Sequence, residues 1–285
     1  MSRPLHARSG LLRTLLGGPL SVIAAGLIVS AGSAGAAPGA AGLKSHRAVY
    51  SIRLAEDGES RDFARAQGRF VLEWQKSCAG ATLNQRLVTE FIPFEGETLL
   101  SDLRFSSWEA ADGSTLRFSL SNLLNGALSE MAEGTADLGK GAVTFSKPSG
   151  KTMDLPGGTV FPTTLTAQLV EAARGGESTL SRIIYDGAED GKAMKGTAFI
   201  GAEKSAKGAE AFTDVDGGGT LASLPYWPVT VGYFERDGSK DLPEYQVSFH
   251  LYPNGISDSL TLDYVDFRLK ADLTELTLLE TPACP

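Results

Sequence analysis

The sequence predicts a mainly β protein: a strongly curved, spiral-like antiparallel sheet, an open half-barrel, with one or two short helices. Apolar and polar residues alternate with a period of two through most of the chain after residue 45, which is typical of antiparallel strands with one buried face. Asp-Gly pairs separate several of these runs, and glycine supplies the positive φ that tight turns need. In the C-terminal third the alternation changes phase, which indicates bulged strands, and bulges make a sheet curl.

The composition is that of a globular chain and excludes several classes of protein. The 285 residues are 42% hydrophobic and 21% charged, with a net charge of −8, which excludes disorder, collagen, a coiled coil and a multi-pass membrane protein. A general nucleic-acid-binding protein needs clustered Lys and Arg to displace counterions from phosphates. Since this chain is acidic, we expect no nucleic-acid partner.

The first 36 residues have the layout of a secretory signal peptide. Three arginines come first, an apolar run covers residues 15–29, and small residues follow, ending in an Ala-Gly-Ala site. We predict cleavage between Ala36 and Ala37. An uncleaved membrane anchor is the alternative, but the apolar run is interrupted by Gly and Pro and is short for a bilayer, which needs about 20 residues. Cleavage would leave a single periplasmic β domain, residues 37–285, with 23 basic and 34 acidic residues and a net charge of −11.

Cys78 and Cys284 are the two cysteines of the chain. In an oxidising compartment they allow one intramolecular disulfide, which would tie the chain end to an early strand and stabilise the fold by at most about 5 kcal/mol. Free or intermolecularly paired thiols are the alternative. Two thiols cannot supply the four ligands of a structural zinc site, so we expect a structural role.

One segment departs from the strand pattern. From Pro162 to Arg174 the apolar residues recur with helical spacing, and Gly175 with Gly176 follows as a C-terminal cap, which predicts a helix of about three turns that covers the sheet. Residues 201–219 are small and charged without a period, which predicts an exposed, flexible loop.

The apolar phase of the C-terminal residues shifts twice, once after Tyr264 and once before Leu276. A phase shift turns side chains to the opposite face unless a bulge absorbs the extra residue. We therefore expect long strands with bulges in this part of the chain.

The sequence contains no complete catalytic constellation. Two histidines, His46 and His250, remain after cleavage, and there is no G-x-S-x-G nucleophile elbow. His46 opens the first predicted strand and His250 lies on the polar face of its strand, so we interpret both as strand-surface residues. We predict no catalytic residue, no cofactor and no bound metal. A hydrolase that uses His250 or a pair of carboxylates is the alternative.

Four large aromatic residues are candidates for lining an apolar groove that binds a lipid or a peptide: Trp74, Trp108, Tyr226 and Trp227. The alternative is that each packs in the core of the β domain. Two prolines bracket Tyr226 and Trp227, and because proline cannot donate to a strand ladder, we expect this stretch at a sheet edge or a strand entry.

Four stretches of the sequence carry a resemblance to a known family. They are SHRAVYSIRL (Ser45 to Leu54), GRFVLEW shortly before Cys78, FPTTLTAQLVEAARGGE (Phe161 to Glu177) and YDGAEDG (Tyr185 to Gly191). Together with the placement of the two cysteines, they resemble the EipB family, cell-envelope integrity proteins of the alphaproteobacterial periplasm. The resemblance implies a monomeric, spiral-like β fold, open on one side like the grooved periplasmic lipoprotein carriers. It also implies a disulfide between Cys78 and Cys284, no catalytic residue, and a periplasmic tetratricopeptide-repeat protein as partner.

The sequence is compatible with two functions of different classes. We expect a non-enzymatic periplasmic protein that maintains cell-envelope integrity by binding a protein, peptide or lipid in a curved β groove. The alternative is a periplasmic hydrolase that acts on peptidoglycan or an ester. The hydrolase requires His250 or an acidic pair to maintain the envelope, whereas the binding protein does not.

Overall fold

The computed structural model describes residues 42–56, 60–187, 192–238 and 241–284. The predicted signal peptide, the cleavage site at Ala36 and Ala37, and the Asp57-Gly58 turn lie outside the described residues. Within them, the chain forms fifteen strands and two α-helices. The strands are β1 (His46–Leu54), β2 (Phe63–Lys76), β3 (Gly80–Pro93), β4 (Leu99–Ala110), β5 (Thr115–Leu124), β6 (Ala127–Asp137), β7 (Ala142–Lys147), β8 (Thr152–Asp154), β9 (Thr159–Val160), β10 (Thr179–Ile184), β11 (Met194–Ile200), β12 (Trp227–Phe234), β13 (Tyr245–Leu251), β14 (Ser257–Tyr264) and β15 (Arg268–Leu278). The helices are α1 (Pro162–Arg174) and α2 (Gly219–Ala222).

The strands form one curled sheet with two edges. Their order runs from β8 back to β1 and then from β15 back to β9, because the first strand pairs with the last. Neighbours are antiparallel, apart from the parallel pair of β9 and β10. The edge strands β8 and β9 follow each other in the chain, and the connection from Asp154 to Thr159 can span at most about 18 Å. The two edges therefore come close without pairing, which confirms the predicted open, strongly curved antiparallel sheet.

The period-two alternation fixes which side chains face the inside of the curl. On β3, Leu83, Leu87 and Phe91 are buried, whereas Asn84 and Arg86 between them are exposed. Antiparallel strands that each bury one face can share a single interior when the sheet wraps around it. The buried faces of the strands thus form one apolar core on the concave side.

The C-terminal strands contain bulges, as the phase changes indicate. The change of phase after Tyr264 is not one of them, because the chain reverses there in the hairpin turn between β14 and β15. The second phase shift is a bulge in β15, where Thr274 is the extra residue opposite Val49 and Tyr50. A further bulge, which the sequence pattern did not indicate, lies in β14 near Ser259, whose φ is 54°.

Helix α1 has the predicted bounds and lies in the concavity. The Thr163 hydroxyl accepts a hydrogen bond from the Trp74 indole of β2 at 3.2 Å, and Gln168 accepts one from Arg182 of β10 at 2.7 Å. These two strands belong to opposite halves of the sheet, so the helix bridges the interior. No helix in the described residues is long and apolar enough to cross a membrane. The buried residues of the helix are Pro162, Leu165, Ala167, Leu169, Val170, Ala172 and Ala173.

The segment 201–219 packs against the sheet at several positions. Phe212 is buried, and Asp216 makes two backbone hydrogen bonds with β15, to Thr274 at 2.9 Å and from Leu276 at 2.7 Å. This is feasible because β14 pairs with β15 only as far as Ala271, so the rest of that edge of β15 is free to pair. Phe212 therefore departs from the predicted exposed loop, whereas most residues of the segment, Asp216 among them, are exposed as expected.

Candidate functional site

A narrow cavity lies between helix α1 and the concave face of the sheet. It contains about 910 Å³ of space free of protein atoms, including part of its open mouth, but only about 70 Å³ admits the centre of a water-sized sphere. The cavity is therefore thin in cross-section. Its walls are contributed by β1, β2 and β3 on one side and by β13 and β14 on the other, with the first turn of α1 above them.

The walls of the cavity are mainly apolar. Such a surface favours the burial of an apolar ligand, at roughly 25 cal/mol for each Å² removed from water. The apolar lining residues are Leu43, Tyr50, Phe70, Leu72, Trp74, Leu83, Leu87, Pro162, Val247, Leu260 and Leu262.

Polar groups lie on one side of the cavity, where residues 43–46 meet the turn before β14. His46 is only 6% exposed, and its Nδ1 donates to the carbonyl of Lys44 at 2.7 Å. Burial lowers the pKa of His46, against the hydrogen bond to Lys44, which raises it. The ring is therefore neutral at pH 7, with Nε2 as its acceptor nitrogen. The backbone nitrogen of Lys44 donates to the carbonyl of Asn254 at 3.0 Å, which fixes this segment beside the turn.

A buried carboxylate holds helix α1 above the cavity. Glu109 of β4 is 3% exposed, and its two oxygens accept from the backbone nitrogens of Thr163 and Thr164 at 2.7 and 2.8 Å. These are free amides of the first helical turn, where the helix dipole also favours a negative charge. Phe161 at the N-cap supplies no side-chain hydrogen bond, so Glu109 acts as the cap from a neighbouring strand.

A second polar group of residues surrounds Lys207 and is distinct from the cavity. The Lys207 ammonium lies 2.8 Å from both oxygens of Asp258 and 2.9 Å from Nδ1 of His250, and the Tyr252 hydroxyl donates to Asp258 at 2.9 Å. Burial alone would raise the pKa of Asp258, but the hydrogen bonds from His250, Lys207 and Tyr252 and the Lys207 charge outweigh it and lower the pKa. We name Lys207, His250, Tyr252 and Asp258 the lysine cluster.

The structure does not bring the four candidate groove aromatics together. Trp74 lines the cavity. Trp108 lies outside it with the Arg117 guanidinium 5.2 Å from the ring centre, and Tyr226 packs on His250 with ring centres 4.5 Å apart. Trp227 is buried at the start of β12. Of the four, Trp74 lines this cavity, the buried Trp227 fits the alternative of core packing, and the stretch of Tyr226 and Trp227 lies at a strand entry, as expected.

Both histidines are less exposed than strand-surface residues. His46 lines the cavity, and the His250 side chain, 30% exposed, lies beside Asp258 and Lys207. The interpretation as a surface residue is wrong for the buried His46, whereas His250 lies on the polar face of its strand, as expected, and is partly covered by residues distant in the sequence. The described contacts of His250 are with Lys207, Asp258 and the ring of Tyr226, and a serine or cysteine nucleophile is not among them.

The two cysteines lie within disulfide-bonding distance, with their Cα atoms 5.3 Å apart and a sequence separation of 206. Both cysteines are exposed. Neither belongs to the lysine cluster, and neither lines the cavity. The geometry suits the intramolecular pairing that the sequence predicted. It anchors the end of the chain beside the β2–β3 turn.

The sequence interpretation did not single out Lys44, Glu109 or Lys207. Glu109 had a detectable signal, because it occupies the buried phase of β4 after Phe105 and Ser107. Lys44 and Lys207 had none, since each is a lysine in an aperiodic segment and acquires its role from distant elements.

Comparison with known proteins is consistent with this geometry. A family model described as EipB-like matches residues 37–280. The chain is 34% identical over 258 residues to the cell envelope integrity protein EipB of Brucella abortus (strain 2308), an alignment that covers 88% of this chain and 90% of that protein. A crystal structure described as a β-barrel-like protein of a domain of unknown function from Brucella abortus superposes with a TM-score of 0.77 at 31% identity, covering 84% of this chain and 99% of that one.

Proposed function

Because this chain belongs to the EipB-like family, whose curated relative is a cell envelope integrity protein, we propose that it acts in the envelope by binding an apolar ligand in the cavity, without catalysis. The single observation that carries the proposal is the narrow apolar cavity between α1 and the concave face of the sheet. Burying a thin apolar group there removes it from water on all sides except the mouth.

The proposed site of action is the periplasm. The basic start, apolar run and small-residue site of residues 1–36 support export with cleavage before Ala37. The placement of Cys78 and Cys284 within bonding distance supports an oxidising compartment. Cell fractionation and the intact mass of the purified protein test both points.

A partner protein is also part of the proposal. The family resemblance supports a monomer that works with a periplasmic tetratricopeptide-repeat protein. A pull-down from periplasmic extract with the mature chain, and with a variant whose cavity is blocked, tests whether such a protein binds and whether its binding depends on the ligand.

The hydrolase alternative is less well supported by the lysine cluster. A Ser-His-Asp mechanism needs a nucleophile beside the histidine, and the acceptor nitrogen must be free to take its proton. The described contacts of His250 are with Lys207, Asp258 and the ring of Tyr226, and they include no serine or cysteine that could serve as the nucleophile. His250→Ala is therefore expected to leave envelope resistance intact, and loss of resistance with unchanged stability would favour the hydrolase.

Blocking the cavity tests the proposed function. Leu87→Trp adds a large ring to the wall of the cavity, so we expect loss of binding of the apolar dye N-phenyl-1-naphthylamine and loss of detergent resistance in cells that carry this copy alone. Overpacking costs about 1–3 kcal/mol, so melting temperatures are recorded alongside.

The matched control is Val88→Trp, on the opposite face of the same strand, where residue 88 is only partly buried. It should keep both dye binding and resistance. Leu260→Trp, on the facing wall, blocks the same cavity if the first variant folds poorly. Full resistance in a folded protein that no longer binds the dye would contradict the proposed function.

A further inference from the structure

The charge at the cavity is of one sign. Lys44 lines it and is exposed, and no acidic residue is among the described residues that line it. The backbone of Lys44 is fixed on both sides, since its nitrogen donates to Asn254 and its carbonyl accepts from His46. The Lys44 side chain can therefore move while the Lys44 backbone stays beside the cavity.

A second cation lies next to the same segment. Arg174, at the end of helix α1, donates from Nη2 to the carbonyl of Pro253 at 2.8 Å, and Gly42 lies against the same guanidinium. Residues 42–44 and the turn at 253–255 thus lie between a lysine and an arginine. Lys44 is the one exposed residue of the described lining, so the solvent-exposed part of the lining carries positive charge in a chain with a net charge of −8.

The shape favours one alkyl chain over a peptide. A peptide that binds to a sheet usually pairs its backbone with an open strand edge, whereas the walls here are the side-chain faces of strands that are paired on both sides. The edge strands β8 and β9 do not line the cavity. A narrow apolar space with no backbone ladder suits an unbranched chain, which gains roughly 0.8 kcal/mol for each buried CH₂.

Resting on the proposed function, we infer that the cavity binds a single-chain fatty carboxylate, with the alkyl chain between α1 and the sheet and the carboxylate at the Lys44 ammonium. Burial of the chain supplies most of the affinity. The ion pair, which is partly exposed, supplies selectivity for a negative head group.

Binding of matched probes to the mature chain, stripped of copurified ligand, tests the inference. We expect palmitate to bind about fivefold more tightly than hexadecanol at low salt, which corresponds to about 1 kcal/mol for a partly exposed ion pair. Lys44→Met should abolish this preference, so that palmitate binds no more tightly than hexadecanol. Lys195→Met, an exposed lysine on β11 away from the cavity, should keep the preference.

The outcomes separate the inference from the proposed function. Equal binding of palmitate and hexadecanol by the wild type, or an unchanged preference in Lys44→Met, overturns the inference and leaves an apolar cavity that does not select the head group. Tighter binding of an apolar peptide than of palmitate overturns it as well. Failure of both probes to bind, or binding that Leu87→Trp does not reduce, overturns the proposed function itself.

Discussion

Glu109 is a charged residue at a position where the alternation of β4 predicts an apolar one. The sequence pattern marks it as an exception, but it does not say what satisfies a buried carboxylate. The structure supplies that answer, since the free amides of Thr163 and Thr164 meet it from a helix more than 50 residues later. A residue of this kind is recognisable from sequence as unusual, whereas its partner is fixed only by the way the sheet wraps around the helix.

Replacing Glu109 by glutamine should remove a pH dependence of stability. Burial, acting against the hydrogen bonds from the two threonines, raises the pKa of Glu109, so the folded state holds the proton more tightly than the unfolded chain does. Stability from this group is therefore present at acid pH and is lost as pH rises from the ordinary carboxyl range, about pH 4, through the raised pKa. Glutamine does not titrate in this range.

We therefore expect the melting temperature of the wild type, minus that of Glu109→Gln, to be larger at pH 4 than at pH 7. Glu171→Gln, at an exposed position of helix α1, which Glu109 caps, serves as control and should show no such trend. A difference that grows towards pH 7 would show that the carboxylate, and not its protonated form, is the favoured partner of the helix.

The cysteine pair makes a second prediction at this scale. A bond between residues 206 positions apart restricts the unfolded chain, so Cys78→Ser should destabilise the protein by about 2–5 kcal/mol. Cys284→Ser should do the same, and the double variant should be no less stable than either single one because the three lack the same bond. Melting temperatures with and without reductant measure this. An unchanged value in either single variant would contradict a structural disulfide.

Among the elements, helix α1 was the most predictable and the C-terminal bulges the least. The helix has local signals at both ends, with Pro162 at its start and Gly175 and Gly176 after Arg174, so its bounds follow from sequence. A change of apolar phase is ambiguous, because a tight hairpin turn and a bulge both shift it by an odd number of residues. The turn after Tyr264 and the bulge at Thr274 illustrate the two cases, which only the pairing register separates.

The segment 201–219 was predicted to be exposed because its composition contains little to bury. Its packing depends on Lys207, whose side chain is 18% exposed beside an Asp258 that is 5% exposed. Removing one member of a largely buried ion pair leaves the other charge buried without a partner of opposite sign. This typically lowers the free energy of unfolding by about 3 kcal/mol or more. The loop is thus held by a partner that lies 51 residues further along the chain.

Lys207→Met should release this segment from the sheet. We expect faster amide hydrogen exchange over residues 201–219 and a stability loss of about 3 kcal/mol, with the loss partly restored when Asp258→Asn is added. Lys204→Met, at an exposed position of the same segment, is the matched control and should exchange like the wild type. Unchanged exchange in Lys207→Met would mean that Asp216 and Phe212 hold the segment without the lysine cluster.

At the scale of the whole molecule, the sequence predicts a curled sheet but not what its interior holds. The same alternation buries one face of every strand whether the inside is packed solid or left open. The cavity arises because helix α1, held by Glu109, covers the concave face without filling the space between Leu87 and Leu260. Its lining comes from five strands, the segment before β1, a turn and a helix, and no local pattern records that combination.

The same assembly explains why the four aromatic residues lie in different places. Large aromatics are placed by the face of the strand that carries them, and Trp74 alone of the four lies on the cavity wall. Ligand binding therefore depends on a space that many elements build together.

Native mass spectrometry of the mature protein, purified gently from periplasm, measures directly what the cavity holds. We expect a fraction of the wild type to carry a small extra mass that dissociates as an apolar, single-chain molecule, and we expect Leu87→Trp to lack it while Val88→Trp retains it. The same spectrum reads the removal of residues 1–36 and the two-hydrogen deficit of the disulfide. A bare protein in all three preparations, with envelope resistance intact in Leu87→Trp, would contradict a function exercised through the cavity.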